Sequence, residues 1–233
     1  MSKTKVLGVL GGMGPAATLD FLTKVQAYTP AKTDQDHLRV LVDINPQVPD
    51  RNDVFAKPGP VLAEMALGLR NSGAQVLAIA CNTAHAYGDL VSRASGLPLI
   101  DMISTAATAA RDTGAKRAGV LGTKQAIKLY REYIAAQGMS LVTLPSDQQE
   151  AFMALLYRIK GGDTGPEARA AMAELAQGLV AEGAEAIIAG CTEVPLVLAK
   201  DDVRKPLLDA GDLLARRCVN VCLGLEPAPT VDA

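Results

Sequence analysis

Two cysteines at the ends of similar apolar segments have the type and spacing to do chemistry. Cys81 ends the segment "SGAQVLAIAC", and Cys191 ends the segment "EGAEAIIAGC". Gly73 lies eight residues before the first cysteine and Gly183 eight residues before the second, so the segments align without a gap at an offset of 110. A thiol on each side of a carbon atom can remove a proton from one face and return a proton to the other. The pattern therefore suggests a two-base proton transfer that inverts a carbon centre.

The repeat extends to two further landmarks. "GVLGG" (Gly8–Gly12) matches "GVLGT" (Gly119–Thr123), and "PLIDM" (Pro98–Met102) resembles "PLLDA" (Pro206–Ala210). One match between apolar segments is weak, but three landmarks in the same order at nearly one offset indicate two similar halves. We expect a pseudo-twofold axis between these halves, with the carboxyl ends of the strands facing a shared cleft that holds the ligand.

Apolar runs alternate with segments of helical period along the chain. Six runs predict buried strands: 5–10, 38–44, 74–80, 117–122, 139–144 and 184–190. Between them, apolar residues recur three and four apart, which is typical of helices. Pro15 and Pro166 mark helix starts, and Gly73, Gly138 and Gly183 mark helix ends. These βα units predict an α/β fold of two similar Rossmann-like (flavodoxin-like) domains, each with a parallel sheet.

Composition favours a globular protein without polyanionic partners. The chain has 233 residues, of which 49% are apolar, and its 23 basic and 25 acidic residues leave a net charge of −2. This balance predicts no nucleic-acid partner and no anionic membrane surface as partner. No apolar run is long enough to span a membrane, and glycines interrupt the N-terminal run too early for a signal peptide. We therefore expect a cytoplasmic protein with reduced thiols.

The four cysteines do not have equal claims to a chemical role. A free cysteine is more often a small buried residue than a catalyst. The repeat favours chemistry for Cys81 and Cys191, whereas Cys218 and Cys222 lie on a predicted last helix and are expected in the core. A thiol at a strand end that opens into a helix lies near backbone N–H groups and a helix dipole, which favour the thiolate.

Four motifs contain these cysteines or accompany them. They are "GGMGPAAT" (Gly11–Thr18), "PDR" (Pro49–Arg51), "CNTAH" (Cys81–His85) and "GCTE" followed by proline (Gly190–Glu193, Pro195). Together they resemble the aspartate/glutamate racemase superfamily, and within it the aspartate racemase branch, over essentially the whole chain. Glutamate racemases carry an Asp-Ser-Gly turn in place of the Gly11–Gly14 loop and a histidine in place of Glu193. The resemblance therefore favours aspartate-type or broader amino-acid racemases.

This resemblance implies an architecture and a mode of catalysis. The first domain would comprise residues 1–99 and 208–233, the second residues 100–207, and the site would lie between them. A homodimer is implied, as is a small amino-acid substrate. The family chemistry needs no metal and no cofactor, pyridoxal phosphate included.

The resemblance also implies roles for individual residues. Cys81 and Cys191 match the two proton-transfer cysteines, and Arg51 matches the arginine that meets the side-chain carboxylate of the substrate. Lys160 falls where a lysine serves the same end. The other expected substrate contacts are Met13, Asn82, Thr83, Thr123, Thr192 and Glu193. Arg51 can bind a carboxylate through two parallel hydrogen bonds, although a solvated surface charge is the alternative for both cations.

A dinucleotide-binding loop is one competing interpretation. Gly12-x-Gly14-x-x-Ala17 follows a predicted strand and precedes a helix, and Asp43 ends the next strand. These features suggest an NAD-binding oxidoreductase. That interpretation leaves the repeated cysteines unexplained, and the same glycines can bring backbone N–H groups to a substrate carboxylate.

The same two cysteines could also serve purposes besides amino-acid racemisation. His85 could bind zinc with Cys81 and Cys191, but the chain has only one other histidine and no compact ligand cluster, so we expect His85 to position Cys81 instead. Maleate isomerases and hydantoin racemases of the same superfamily also place cysteines in the cleft, and arylmalonate decarboxylases keep one. A non-catalytic binding protein would have no need of two thiols.

Overall fold

The computed structural model describes residues 4–53 and 55–231. The strands in these residues are β1 (Leu7–Gly11), β2 (Val40–Ile44), β3 (Val76–Ile79), β4 (Leu99–Ile100), β5 (Arg117–Leu121), β6 (Ser140–Val142), β7 (Ala186–Ala189) and β8 (Leu207–Asp209). The α-helices are α1 (Pro15–Tyr28), α2 (Pro58–Asn71), α3 (Gly88–Ser95), α4 (Met102–Asp112), α5 (Lys124–Ala136), α6 (Ser146–Lys160), α7 (Pro166–Ala181) and α8 (Ala210–Leu223).

These elements form two compact units. Unit 1 comprises Met1–Met102 and Gly211–Ala233, and unit 2 comprises Ile103–Ala210. Each contains a four-stranded parallel sheet with flanking helices, in the order β2-β1-β3-β4 in unit 1 and β6-β5-β7-β8 in unit 2. The predicted α/β fold with two similar parallel sheets is confirmed.

The strand order places a crevice at the same point of each sheet. β1 pairs with β2 on one side and with β3 on the other, so the connections after β1 and after β3 leave the sheet in different directions. β5 has the same relation to β6 and β7. Ligands of open parallel sheets bind at the carboxyl ends of strands where the order reverses in this way. In each unit, the loops after the first and third strands are therefore the expected binding loops.

The same close contact between backbone and helix end recurs in both units. A Cβ added at Gly8 in β1 would lie 2.8 Å from Ala74 Cβ, and one added at Gly119 in β5 would lie 2.9 Å from Ala184 Cβ. Only glycine, which has no Cβ, lets the residue that follows each helix pack so closely on the neighbouring strand. The repeat noticed in the sequence is thus a repeat of packing.

The sequence predicts most of these elements but misses two strands. The six predicted strands correspond to β1, β2, β3, β5, β6 and β7, and Pro15 and Pro166 are the first residues of α1 and α7. Gly73 and Gly183 adopt φ of +104° and +91° after α2 and α7, as helix-ending glycines do. β4 and β8 have two and three residues at a sheet edge, which is too short for an apolar period to indicate.

The C-terminal helix α8 completes the core of unit 1. Cys218 and Cys222 lie on it and are buried, as expected. Burial raises the pKa of the Cys218 thiol well above its usual value and that of the Cys222 thiol to about 11, so both are protonated at neutral pH. The Tyr28 hydroxyl on α1 donates a hydrogen bond to Asp212 on α8, and Arg216 donates to both. These contacts tie the first and last helices of the unit together.

Each unit has its own apolar core, and each candidate thiol lies in one. Cys81 packs with Leu10, Met13 and Ile79 in unit 1, and Cys191 packs with apolar side chains of β7 and α7 in unit 2.

Within the described part of the chain, no helix combines the length and apolar character that crossing a membrane requires.

Candidate active site

Cys81 and Cys191 occupy equivalent places in their units. Each lies two residues beyond the third strand in sequence order, β3 or β7, at the carboxyl end of the sheet. Both are nearly enclosed, with 5% of Cys81 and 6% of Cys191 exposed. The chain after Cys81 forms a 3-10 turn, Thr83–Tyr87, that runs directly into α3, whereas the chain after Cys191 forms only a short 3-10 turn, Val194–Leu196. The expected helix is therefore absent after Cys191, and the helix dipole is weaker there than the sequence suggested.

His85 fixes the backbone at Cys81. Its Nδ1 lies 2.9 Å from the carbonyl oxygen of Cys81, and the backbone N–H of Met102 donates to its Nε2 over 3.2 Å. A carbonyl only accepts and a backbone N–H only donates, so these partners assign the proton to Nδ1 and leave the ring neutral. His85 therefore joins the end of β3 to the first residue of α4, and both ring nitrogens are engaged with the main chain.

The loop after β1 is held by Thr18. The backbone N–H of Gly12 donates to Thr18 Oγ1 over 2.9 Å, and the same hydroxyl donates to the carbonyl oxygen of Gly14 over 2.9 Å. Gly12 adopts φ of +90°, and a Cβ there would lie 2.4 Å from the backbone of Asn45. The hydrogen bond to Thr18 engages the Gly12 N–H that a dinucleotide phosphate would need. Sequence reasoning missed Thr18 as a positioning residue, although it ends the "GGMGPAAT" motif.

Arg51 holds the Met13 loop against the loop after β2. Its Nη1 donates to the carbonyl oxygens of Val48 and Pro49 over 3.2 Å and 3.0 Å, and its Nη2 donates to that of Met13 over 3.3 Å. Its Nε is buried and has no hydrogen-bond partner among the described residues. The structure thus brings two predicted site residues, Arg51 and Met13, into contact. It also leaves the Nε donor of the guanidinium unused.

The remaining predicted contacts of unit 1 follow Cys81 directly. Asn82 is 1% exposed and Thr83 is 4% exposed, and neither lies on a solvated surface. Two buried polar side chains beside a thiol, at the crevice of a parallel sheet, are suited to hold a polar ligand.

Cys191 is held by a charged partner. Its Sγ donates a hydrogen bond to Glu193 Oε2 over 2.9 Å, and Thr192 Oγ1 lies 3.4 Å from the same oxygen. The other carboxylate oxygen, Oε1, accepts from Lys160 Nζ at 2.5 Å. The side chain of Glu193 is 3% exposed and that of Lys160 is 22% exposed. Four predicted site residues of unit 2 thus form one connected group.

Thr123 begins the helix after β5. Its Oγ1 accepts from the backbone N–H of Ala126 over 3.1 Å, which caps the N-terminus of α5. Gln149 supports the same loop, because its Nε2 donates to the carbonyl oxygen of Gly122 over 3.1 Å and its side chain is buried. No local sequence signal marks Gln149, which reaches this loop from the start of α6.

Two other features of the structure lie outside this group. Within the described residues, no three histidine, cysteine or acidic side chains cluster as metal ligands would. Both ring nitrogens of His85 are bound to main-chain atoms, so neither is directed at a metal. A cavity of about 430 Å³ between α6 and α7 contains none of the predicted site residues.

Comparison with known proteins places the chain in a family. The sequence profile described as Asp/Glu/Hydantoin racemase matches residues 10–218. The broad specificity amino-acid racemase RacX of Bacillus subtilis is 26% identical over 229 residues, which cover 95% of this chain and 100% of RacX. A glutamate racemase of Pseudomonas aeruginosa is 33% identical over 147 residues, which cover 60% of this chain and 51% of that protein.

Solved structures agree with this similarity. The aspartate racemase of Picrophilus torridus superposes with a TM-score of 0.81 at 26% identity, covering 94% of each chain. The glutamate racemase of Francisella tularensis, solved with D-glutamate, superposes with a TM-score of 0.70 at 17% identity, covering 100% of this chain and 86% of the other, which shows the shared fold. The resemblance found in the motifs is confirmed: the chain belongs to the Asp/Glu/hydantoin racemase family and is an isomerase of the racemase type.

Proposed function

We propose that this protein is an amino-acid racemase that needs no cofactor and acts on aspartate, with glutamate and other amino acids as further substrates. Cys81 and Cys191 exchange protons with opposite faces of the substrate α-carbon. The observation that carries this proposal is the recurrence of one buried thiol, two residues beyond the third strand, in two units of the same fold.

The two thiols divide one inversion between them. The thiolate of one cysteine removes the α-proton, and the thiol of the other delivers its proton to the opposite face. The number of protons on the protein does not change during this exchange, so the protein is ready for the other enantiomer afterwards. Asn82, Thr83 and Thr192 supply donors for the α-carboxylate, whose growing negative charge must be stabilised as the α-proton leaves.

Arg51 supports an acidic substrate. Three of its N–H groups are directed to backbone carbonyls, which hold the guanidinium in one orientation. The unpartnered Nε–H remains for a carboxylate. A buried donor without a partner costs about 1–3 kcal/mol, which a bound carboxylate would recover. Met13, whose carbonyl oxygen receives Arg51, and Thr123 lie in the loops that line the pocket in this proposal.

Single enantiomers in heavy water test the activity. We expect L-aspartate and D-aspartate each to lose optical rotation and to gain deuterium at the α-carbon, with a chelator present and no pyridoxal phosphate added. Alanine serves as the neutral comparison, and Arg51→Lys as the matched variant that keeps the charge but loses the planar pair of donors. We expect this variant to raise KM for aspartate about tenfold and to leave KM for alanine unchanged, since the lysine ammonium keeps the charge but cannot form two parallel hydrogen bonds to the side-chain carboxylate.

Two results would contradict the proposal. A protein inert on every amino acid tested, or one that reacts only when NAD is added, would not be a racemase of this kind. An equal rise in KM for aspartate and alanine in the Arg51→Lys variant would show that Arg51 does not recognise the substrate side chain.

A further inference from the structure

We infer that Glu193 holds the proton of Cys191 and that Lys160 acts on Cys191 only through Glu193. Both residues would then be positioning residues of the second thiol rather than contacts of the substrate side chain. The inference rests on the proposed function, because a positioned proton on Cys191 has a purpose only if that thiol delivers it.

The geometry of the group carries this assignment. The two oxygens of one carboxylate meet different partners: Oε2 accepts from Cys191 Sγ at 2.9 Å and lies 3.4 Å from Thr192 Oγ1, and Oε1 accepts from Lys160 Nζ at 2.5 Å. The carboxylate of Glu193 is 3% exposed, and a buried carboxylate is tolerated only when it is paired. Lys160 therefore offsets the charge of the buried carboxylate, and the carboxylate holds the Cys191 proton in place.

The chain places Lys160 for this contact. It is the last residue of α6, and its side chain reaches the turn after β7, where Glu193 precedes the 3-10 residues Val194–Leu196. The neighbouring cation on the same helix, Arg158, turns instead to Asp163 at 2.6 Å. Two cations two residues apart thus have different carboxylate partners, and one of those carboxylates touches a thiol.

This arrangement gives Cys191 a defined first role. With the proton on Sγ, Cys191 acts as the acid, while Cys81 takes the α-proton of the enantiomer that faces it. The Sγ–H bond breaks, its proton forms the new α-C–H bond, and Cys191 becomes a thiolate beside the Glu193 carboxylate. The ammonium of Lys160 offsets part of the negative charge gathered there. Reaction from the opposite enantiomer returns the proton to Sγ.

Alkylation of Cys191 without substrate tests the inference. Each protein is treated with iodoacetamide at neutral pH, and the rate at each cysteine is measured by mass spectrometry. Only the thiolate reacts, so the rate reports how readily the thiol loses its proton. We expect Glu193→Gln to raise the Cys191 rate about tenfold, since it removes a like charge and the acceptor of the S–H bond. Lys160→Met should lower the Cys191 rate severalfold, because the carboxylate charge is no longer offset.

The controls are built into the same samples. Arg158→Met removes the neighbouring cation and should leave the Cys191 rate unchanged, and Lys160→Arg should restore the rate of the unaltered protein. Cys81 reports any general loosening of the structure. Cys218 and Cys222 should not react in any folded variant, because burial raises the pKa of both thiols.

A double variant decides whether Lys160 acts through Glu193. Lys160→Met should change the Cys191 rate in the unaltered protein and leave it unchanged in the Glu193→Gln background. An equal effect in both backgrounds would show a direct action of the lysine and overturn the inference, as would an unchanged rate in Glu193→Gln. If Glu193→Gln fails to fold, an unchanged rate in Lys160→Met alone overturns it. The alkylation rates are measured without substrate. A protein that does not racemise any amino acid would therefore contradict the proposed function, while the alkylation rates would still test the role of Glu193.

Discussion

Cys81 and Cys191 lie at the same point of two similar sheets, yet different groups hold them. The residue four positions after Cys81 is a neutral histidine that binds main-chain atoms only, at Cys81 and at Met102. The residue two positions after Cys191 is a carboxylate that binds the sulfur itself. Unit 1 thus positions the backbone of its thiol, whereas unit 2 acts on the thiol proton.

This difference separates two tasks that a repeated fold must perform. The repeat supplies the place of each thiol, since strand, glycine contact and crevice recur in both units. The residues after each cysteine supply its electrostatic surroundings, and there the two halves have diverged. An inversion needs a base and an acid at the same moment, so unequal surroundings for equal thiols suit the reaction.

Removing either thiol should have the largest effect. We expect Cys81→Ser and Cys191→Ser each to lower kcat for racemisation of aspartate by about 10³-fold, because inversion needs a proton donor and an acceptor on opposite faces. Loss of optical rotation measures the rate. Cys218→Ala, in a buried cysteine away from both thiols in sequence, is the matched control and should keep near-full activity. Near-full activity in either serine variant would break the two-base assignment.

The likeness of the two units can be tested through their strand glycines. Gly8→Ala and Gly119→Ala should each lower the free energy of unfolding by about 1–3 kcal/mol, because the new Cβ overpacks against Ala74 or Ala184. Urea unfolding followed by circular dichroism measures this change. Gly68 lies within α2 with nothing within 4 Å of an added Cβ, so Gly68→Ala should instead stabilise the protein by about 0.5–1 kcal/mol. A harmless alanine at Gly8 or Gly119 would show that the repeat is one of sequence only.

Substitution of His85 should have the smallest effect and tests whether this residue supports Cys81 alone. His85→Ala leaves the Met102 N–H without its acceptor and should cost about 1 kcal/mol of stability and about tenfold in kcat, as the Cys81 backbone loses its support. His85→Asn keeps a donor near the Nδ1 position and should lose less. Urea unfolding and the racemisation rate measure the two effects. The alkylation rate of Cys191 should not change in either variant, and a change there would mean that His85 serves both units.

The fold could be predicted from the sequence because its signals are local. Apolar runs bounded by glycine and proline predicted six strands, and the gapless offset of 110 between the two cysteine segments predicted that both thiols end equivalent strands. The edge strands β4 and β8 escaped, since two or three residues carry no period and are defined only by pairing with β3 and β7.

Site residues could be nominated from the sequence, but their partners could not. Arg51 and Met13 are 38 residues apart, and the hydrogen bond between them depends on how the loops after β1 and β2 meet. Gln149 reaches Gly122 across 27 residues and gave no signal at all. Such contacts depend on distances of about an ångström between elements remote in the chain, which residue types and spacing do not encode.

The amino-acid sequence by itself determined that this chain has two βα halves, that each half places a cysteine just after a strand, and which polar residues follow. Periodicity and turn residues act within a few positions of the chain, so a linear pattern is enough to reveal them. Only the tertiary structure decided what each thiol touches: a neutral histidine bound to Met102 in one unit, and a Glu193 carboxylate held by Lys160, 33 residues away, in the other. Hydrogen bonds and ion pairs act over about 3 Å, and folding alone brings these side chains within that range.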